Sequence, residues 1–356
     1  MTIPDSQTPR PAPEEADATP QTPDLDVTQP AQALPTQPVT PVSVSQEVPP
    51  VSAPGVPTPV VPVRRRRGGC VWLLGILAVL GVAPIFLAGV GMVFYLIFPP
   101  QPLDIVILGM DSRPGEGFEA RTDTIMILGV DPANLQLSLL SIPRDIFIET
   151  PGYGLWRINT INRDAELSDP GSGPALVEAA IANSFPIQPD RYMRINFEGF
   201  TEIVDALGGI DIDVPRRLVD NLYPDGPDST TTVEFQPGWQ HMDGARALEY
   251  ARTRHADDDY QRAGRQQQVL AGIFRAMLNP LNWPRLPAAL QAFSNAVDTD
   301  LTVFDLWVLA PPMLFDGATG EMDRLVIDRS LILLTPNGNA VPNYTLLNPW
   351  IDAHFH

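Results

Sequence analysis

Acidic residues and arginines lie close together at three places in the middle of the chain. They occur as Asp-x-Arg at 111–113, as Arg-x-Asp at 121–123 and as Arg-Asp at 144–145. A pyrophosphate is bound well by planar guanidinium groups, which stay charged and donate two hydrogen bonds at once. Carboxylates beside such an anion would repel it unless a hard cation lay between them, and Mg²⁺ commonly bridges carboxylates and phosphate oxygens. The mixture therefore indicates metal-assisted phosphoryl chemistry.

A second group of cations occurs about a hundred residues later. Arg252 and Arg254 end one predicted helix, and the next predicted helix carries Arg262, Arg265 and Gln266. Their spacing of three and four places the last three on one helical face. Surface ion pairs are the alternative interpretation, because an acidic chain forms many of them. Composition and spacing alone leave both interpretations open.

Short apolar runs precede or follow each of the three charged loops. The runs Leu103 to Met110, Thr124 to Val130 and Leu135 to Ile142 are rich in Val, Ile and Leu, which predicts buried strands. Strand ends at one edge of a sheet would bring the loops together. Further strands are predicted over 191–197 and 210–214, and helices over 174–184, 199–207, 243–252 and 260–278. This order predicts an α/β fold in which helices flank a central mixed β-sheet.

Composition excludes several classes of protein. The 356 residues include 42 acids and 23 cations, all of them arginine, for a formal net charge of −19. A general nucleic-acid binder needs a basic face, so nucleic acid is not an expected partner. The single cysteine, Cys70, excludes a disulfide framework and a cysteine-rich zinc site.

The first hundred residues differ from the rest. Residues 1–63 hold 16 of the 40 prolines and no aromatic residue, which predicts a disordered tail. Residues 64–98 contain four arginines at 64–67 and then a stretch without charge from Cys70 to Phe98, long enough for one transmembrane helix. Because arginines flank the N-terminal end of this stretch, we expect a single-pass protein of the cell membrane with a cytoplasmic N-terminus and an extracytoplasmic domain.

Seven segments, in order, resemble the LytR-CpsA-Psr (LCP) family of cell-wall glycopolymer ligases. They read DIVILGMDSR, RTDTIMILGV, LSLLSIPRD, PGYGLWRINTIN, INFEGFTEIVDALGGIDIDVP, MDGARALEYARTRH and DYQRAGRQQQVL. The resemblance covers about Leu103 to Leu278 and defines a catalytic domain over 99–280. Residues 281–356 lie beyond these motifs, and we expect a C-terminal extension that packs on this domain as a hairpin and a short helix.

The resemblance implies a function and a site. LCP proteins transfer a glycopolymer from a polyprenyl-pyrophosphate lipid to a peptidoglycan hydroxyl through a phosphodiester link. Their fold is a sandwich that encloses an apolar tunnel for the lipid. By this resemblance Mg²⁺ is the cofactor, and Asp111 and Asp123 are its ligands. The arginines and glutamine that match the pyrophosphate-binding motifs are Arg121, Arg144, Arg252, Arg254, Arg262, Arg265 and Gln266.

Two points stay open in this interpretation. Asp259 matches a family position discussed as a base or a neighbour of the metal, but an N-cap of the helix from Tyr260 explains it equally well. The resemblance implies a Mg-dependent phosphotransferase. A pyrophosphatase side activity is compatible with this assignment. The alternatives are a non-catalytic protein that binds the lipid-linked polymer and a transcriptional attenuator of the cell envelope. The tail has one arginine in 63 residues and no helix-turn-helix pattern, which argues against direct DNA contact.

Overall fold

The computed structural model describes residue 83 and residues 85–112, 117–224, 226, 229–254, 259–317 and 322–355. The predicted tail, the arginine cluster, most of the predicted transmembrane segment and Arg113 lie outside these residues. The final part of that segment forms helix α1, over 85–97. No helix within the described ranges is both long and apolar enough to cross a membrane.

A six-stranded sheet forms the centre of the structure. Its strands are β1 (Leu103–Met110), β2 (Thr122–Asp131), β3 (Gln136–Ser141), β6 (Arg191–Asn196), β11 (Val297–Thr299) and β12 (Asp323–Val326). They are arranged in the order β11-β6-β1-β2-β3-β12. Strand β1 is parallel to β6 and antiparallel to β2, and β3 is antiparallel to β2 and parallel to β12. The sheet is therefore mixed, as the sequence predicts.

Four two-stranded sheets, eight further α-helices and three short 3₁₀ or π-helical segments complete the described residues. The paired strands are β4 (Phe147–Thr150) with β5 (Gly154–Arg157), β7 (Ile210–Val214) with β10 (Gly238–Met242), β8 (Leu218–Pro224) with β9 (Thr230–Phe235), and β13 (Ile332–Leu334) with β14 (Ala340–Pro342). The helices are α2 (Ile158–Ser168), α3 (Gly173–Ser184), α4 (Phe197–Leu207), α5 (Gly244–Arg252), α6 (Asp259–Leu278), α7 (Leu286–Ala296), α8 (Val303–Pro312) and α9 (Tyr344–His354). The strands and helices predicted between 103 and 278 are confirmed to within two residues at most ends.

Hydrophobic residues cover both faces of the sheet. Strand β1 directs Val106 and Leu108 into one core, against Ile161 of α2 and Ile351 of α9. Its alternate residues enter a second core on the other face, which α6 and α8 cover. Because side chains alternate along a strand, a strand buried on both faces has an uninterrupted apolar sequence. This packing explains why LDIVILGM contains a single charged residue, Asp104.

A third core lies beside the sheet and supports the loops that follow α5. It joins α4, α5 and α6 to the two small sheets β7–β10 and β8–β9. Tyr250 and Phe235, both buried, meet edge to face with their ring centroids 5.1 Å apart. This core fixes the end of α5, from which Arg252 and Arg254 emerge.

The C-terminal segment is part of the sheet as well as a cover for it. The hairpin β13–β14 and helix α9 pack on the domain, with Leu347 and Ile351 of α9 fully buried in the first core. Strands β11 and β12, however, form the two edges of the central sheet. The sheet therefore extends past residue 280, where the motif pattern placed a domain boundary. The sequence did not predict these two strands because, at three and four residues, they are too short to give a signal.

Candidate active site

The register of the central sheet brings four chain segments to the same end of its inner strands. Met110, the last residue of β1, pairs with Thr122 at the start of β2 and with Asn196 at the end of β6. Strand β3 runs antiparallel to β2, so β3 ends beside the residues with which β2 begins. Asp111, Asp123, Arg144 and Phe197 therefore emerge together, as expected from their positions at strand ends.

A bulge in β2 sets the position of Asp123. Gly109 pairs with Thr124 and Met110 pairs with Thr122, so Asp123 is the extra residue. A bulge redirects the side chain of the extra residue, and such irregularities are common beside active sites. Gly109 is required here because a Cβ at this position would lie 2.9 Å from the Cβ of Thr124.

Each of the two carboxylates lies next to an arginine. Arg144 Nη1 donates to Asp123 Oδ1 at 2.9 Å. Arg252 Nη2 lies 3.9 Å from Asp111 Oδ1, and its guanidinium stacks over the Phe197 ring at 4.3 Å from the centroid. The stacking holds the guanidinium plane in place while its edge remains available to an anion.

Asp220 is a site residue that the sequence did not reveal. It is fully buried on β8, and its two carboxylate oxygens accept the backbone N–H groups of Leu222 and Arg254, each at 3.0 Å. The second bond ties the segment after α5 to β8 and so positions Arg254. The register of β8 and β9 shifts between Asp220 and Tyr223. An acid in a strand-like run gives no signal of this role, because the backbone N–H groups that it accepts from are brought to it only by the fold.

These side chains line one cavity of about 190 Å³. Seven of its residues were predicted from the sequence: Asp111, Asp123, Arg144, Arg252, Arg254, Arg262 and Gln266. The others are Thr124, Phe197, Asp220 and Pro224. Four arginines from three segments thus face a space that also has two apolar walls. A cluster of four cations is favourable when an anion occupies the space between them.

A larger depression of about 730 Å³ adjoins this cavity. It shares Asp111, Asp123 and Arg144 with the cavity, and Arg121 and Arg163 complete its cationic lining. Arg121 therefore borders the site from outside instead of lining the inner cavity. Arg163 belongs to the RDAE segment that follows the RINTIN motif.

The structure does not bring Arg265 into the cavity. Its side chain is buried and donates to the backbone oxygens of Tyr250 and Thr253, at the end of α5. Successive helical residues are about 100° apart, so Arg262 and Gln266 lie about 40° from each other while Arg265 lies about 100° from Gln266. Arg265 thus holds the segment that carries Arg252 and Arg254. Asp259 is the first residue of α6, and its side chain lies outside the described part of the structure.

The residues present fit a magnesium ion of the kind that binds with a phosphate substrate. No group of three or more His, Cys, Asp or Glu that could hold a metal occurs within the described ranges. Mg²⁺ commonly uses only one or two protein carboxylates, with waters and substrate phosphates as its other ligands. Asp111 and Asp123 provide two carboxylates in a cavity whose arginines are suited to phosphate.

A buried polar network supports the loop that leads to Arg121. The Arg194 guanidinium of β6 donates hydrogen bonds to three side chains. These are the Glu166 carboxylate of α2, Asn162 Oδ1 at 3.1 Å and Asp298 Oδ2 at 2.7 Å. Asn162 in turn donates to the backbone oxygen of Phe118 at 3.0 Å. Burial raises the pKa of the Glu166 carboxyl, but hydrogen bonds from backbone N–H groups and from Arg194 outweigh this effect and hold the pKa below its ordinary value of 4.5.

Arg194→Met is expected to lower the free energy of unfolding by about 3–5 kcal/mol, because it leaves the buried Glu166 carboxylate without its cation. Denaturant unfolding followed by circular dichroism measures this loss. The double variant Arg194→Met/Glu166→Leu removes both charges and should recover part of the stability. If the double variant were less stable than Arg194→Met alone, the pairing would not explain the loss.

The sequence model of the LytR_cpsA_psr family matches residues 99–330. The chain belongs to this family. The resemblance stated from the seven motifs is thereby confirmed, and the match also includes both edge strands of the central sheet, β11 and β12.

Curated relatives of this LytR-CpsA-Psr protein carry two kinds of name. TagV of Bacillus subtilis, a polyisoprenyl-teichoic acid–peptidoglycan teichoic acid transferase, is 29% identical over 240 residues, 67% of this chain and 59% of TagV. TagU of Oceanobacillus iheyensis, named for the same transfer, is 30% identical over 228 residues, which are 64% of this chain and 67% of TagU. MsrR of Staphylococcus aureus, named a regulatory protein, is 29% identical over 62% of each chain. The match thus spans less than two thirds of TagV and of MsrR.

Solved structures show the same fold. The crystal structure of Bacillus subtilis TagV has a TM-score of 0.57 and 26% identity, with 71% of this chain and 97% of that chain covered. TagT bound to LIIa-WTA has a TM-score of 0.54 at 21% identity, with 71% and 89% of the chains covered. The second likeness concerns the fold alone. Together these structures confirm the α/β architecture with a mixed sheet between helices.

Proposed function

We propose that this protein transfers a glycopolymer from a polyprenyl-pyrophosphate carrier to a peptidoglycan hydroxyl. The observation that carries the proposal is the convergence of Arg144, Arg252, Arg254 and Arg262 on one cavity that also contains Asp111 and Asp123. A site for pyrophosphate needs several fixed guanidinium groups, and a site for chemistry on it also needs a means to neutralise the carboxylates. The transferase names of TagV and TagU support the same reaction class.

Each group has a distinct role in this reaction. The arginine forks bind the pyrophosphate oxygens and stabilise charge that develops on them. Mg²⁺, held by Asp111 and Asp123, would act as a Lewis acid on the phosphate oxygens. The hydroxyl oxygen of peptidoglycan bonds to the phosphorus next to the sugar, the bridging P–O bond breaks, and polyprenyl phosphate leaves with the electron pair. The hydroxyl proton passes to the departing phosphate oxygen or to solvent water, so that atoms and charge balance.

The apolar part of the cavity lining indicates where the polyprenyl chain of the substrate would lie. Phe197 and Pro224 form apolar walls beside the arginines. A polyprenyl chain needs an apolar path next to its pyrophosphate, and the tunnel implied by the family resemblance would begin at these walls. The depression lined by Arg121 and Arg163 is wide and polar, and it offers space for the glycan and the acceptor.

The decisive experiment uses the purified full-length chain in detergent. It is incubated with a lipid-pyrophosphate oligosaccharide, Mg²⁺ and peptidoglycan fragments, and the products are analysed by mass spectrometry. We expect a phosphodiester-linked adduct and free polyprenyl phosphate. Tight binding of the lipid without any product would favour the non-catalytic alternative, and release of polyprenyl phosphate without adduct would indicate pyrophosphatase chemistry.

The proposed reaction requires the domain to face the cell wall. We propose that the uncharged stretch over 70–98 anchors the protein in the cell membrane in a single pass, with the arginines at 64–67 and the tail in the cytoplasm. An epitope placed before residue 1 should be inaccessible to antibody in intact protoplasts, and one placed after residue 356 should be accessible. The reverse pattern would contradict this orientation.

A further inference from the structure

Helix α8 has its charged side chain directed inward and its large apolar side chains directed outward. Asp305 is buried, and its carboxylate accepts a hydrogen bond from Arg191 at 2.8 Å and caps the helix through Thr302. By contrast, Val303 is 85% exposed and Phe304 is 60% exposed. A helix on a water-facing surface has the opposite arrangement, with polar residues outside. Water is therefore an unfavourable environment for the outer face of α8.

The exposed apolar surface continues beyond α8. Leu306 and Trp307 add to it within the helix, and Leu314 and Phe315 extend it in the following turn. Between residues 303 and 315 the sequence has no charged residue except the buried Asp305. Soluble proteins rarely expose contiguous apolar patches beyond a few hundred Å², and such patches mark interaction surfaces.

Helix α1 is attached to this surface. The Tyr95 side chain of α1 is completely buried, its hydroxyl donates to the backbone oxygen of Val308 at 2.7 Å, and its ring lies edge to face with Trp307 at 5.0 Å. Most other large side chains of α1 are exposed and apolar, among them Phe86, Val90 and Phe94. The outer faces of α1 and α8 are thus adjacent parts of one apolar surface.

We infer that the outer face of α8 and the turn after it rest in the lipid bilayer beside α1. The occupant is identified by continuity, because α1 is the last part of an uncharged stretch of about 29 residues, a length suited to the hydrocarbon core. Exposed Phe and Trp next to such a segment match the aromatic residues found at membrane interfaces. The inference rests on the proposed membrane anchor and is independent of the proposed transfer reaction.

The consequence is a fixed orientation of the catalytic domain. A single flexible anchor would let the domain tumble, whereas contact through both α1 and α8 holds one side of the sheet against the membrane. The face of the sheet covered by α6 and α8 then lies toward the lipid, and the face covered by α2, α3 and α9 lies toward the wall. A lipid-linked substrate would meet the domain from the α8 side.

Spin labels test this arrangement in the full-length chain. Cys70 is the only cysteine, so Cys70→Ser gives a background in which one new cysteine can be labelled with a nitroxide. The test positions are Phe304→Cys and Leu314→Cys, Val90→Cys in α1 reports on the anchor, and Leu167→Cys is the control. Leu167 is an equally exposed leucine on α2, which covers the opposite face of the sheet.

The labelled proteins are reconstituted in phosphatidylcholine–phosphatidylglycerol vesicles, and collision rates with oxygen and with a water-soluble nickel chelate are measured. Oxygen concentrates in the bilayer and the chelate in water. We expect the oxygen-to-nickel ratios at 304 and 314 to be several-fold above the ratio at 167. They should be closer to the ratio at 90 than to the ratio at 167. Circular dichroism of each labelled protein checks that the domain is folded.

The other outcomes overturn the inference in distinguishable ways. Ratios at 304 and 314 equal to that at 167, with a high ratio at 90, would show an anchored domain that does not rest on the membrane. A low ratio at 90 as well would refute the anchor itself. Strong dipolar broadening between 304 labels would assign the surface to a second copy of the chain. None of these outcomes alters the mass-spectrometric test of transfer.

Discussion

Asp111→Ala and Asp123→Ala should each abolish measurable transfer while the domain remains folded. Each variant removes one of the two carboxylates available for Mg²⁺ in the cavity, and loss of even an outer partner of a metal site commonly costs about 10–100-fold in activity or affinity. We expect a loss at or above the upper end of that range. Product formation is measured by mass spectrometry at saturating lipid, over a series of Mg²⁺ concentrations.

The structure supplies a control for these two variants. Asp213 is an exposed carboxylate on β7, outside the cavity, so Asp213→Ala changes the net charge equally and should retain activity. The side chains of Asp123 and Arg144 are partly exposed, at 26% and 14%, so loss of their pairing should change stability little. Full activity of either Asp111→Ala or Asp123→Ala would refute the metal assignment.

Arg144→Lys and Arg254→Lys should weaken lipid-pyrophosphate binding by about 1–3 kcal/mol, which is roughly a 5- to 150-fold rise in Kd. Lysine keeps the positive charge but loses the planar fork that donates two hydrogen bonds to one anion. Calorimetric titration with a polyprenyl-pyrophosphate analogue measures the change. Thermal unfolding of the free protein should shift little, because a cation remains in the cluster.

Arg217→Lys is the matched control for the arginine variants. Arg217 is exposed and pairs with Glu234 at 2.7 Å, and it lines neither the cavity nor the adjoining depression. Its substitution should leave affinity for the analogue unchanged. If the cavity arginines were only structural ion pairs, the opposite pattern would appear, with unchanged affinity and a lower unfolding temperature for Arg144→Lys.

The two sets of variants separate binding from catalysis. Loss of Asp111 or Asp123 should reduce turnover even when the lipid is saturating, since the arginines still bind the anion. Loss of a guanidinium fork should be largely overcome at high lipid concentration if its main contribution is to ground-state binding. A different result, in which Arg254→Lys lowers turnover at saturation, would indicate that this fork acts mainly on charge that develops during transfer.

Local sequence was sufficient for the main elements and for most of the cavity. A short apolar run rich in β-branched residues, such as LDIVILGM, predicts a strand buried on both faces, and a charged residue directly after it is then expected at the end of that strand. For this reason the sequence predicts that Asp111, Asp123 and Arg144 lie together, and the order of seven motifs indicates the family. These inferences depend on period and position along the chain, which the sequence contains.

Tertiary structure alone determined features that depend on pairing and packing. The bulge at Asp123 and the shift in pairing between Asp220 and Tyr223 arise from the register between strands, which residue types do not encode locally. The spacing of Arg262, Arg265 and Gln266 predicts that all three lie on one face of α6. The packing of α6 against the end of α5 instead directs Arg265 to the backbone oxygens of Tyr250 and Thr253. In α8 the bond from Arg191 to the buried Asp305 carboxylate and the packing of Val308 in the second core hold one side of the helix inward. These features depend on contacts between separate elements of the fold, so no pattern within one element could reveal them.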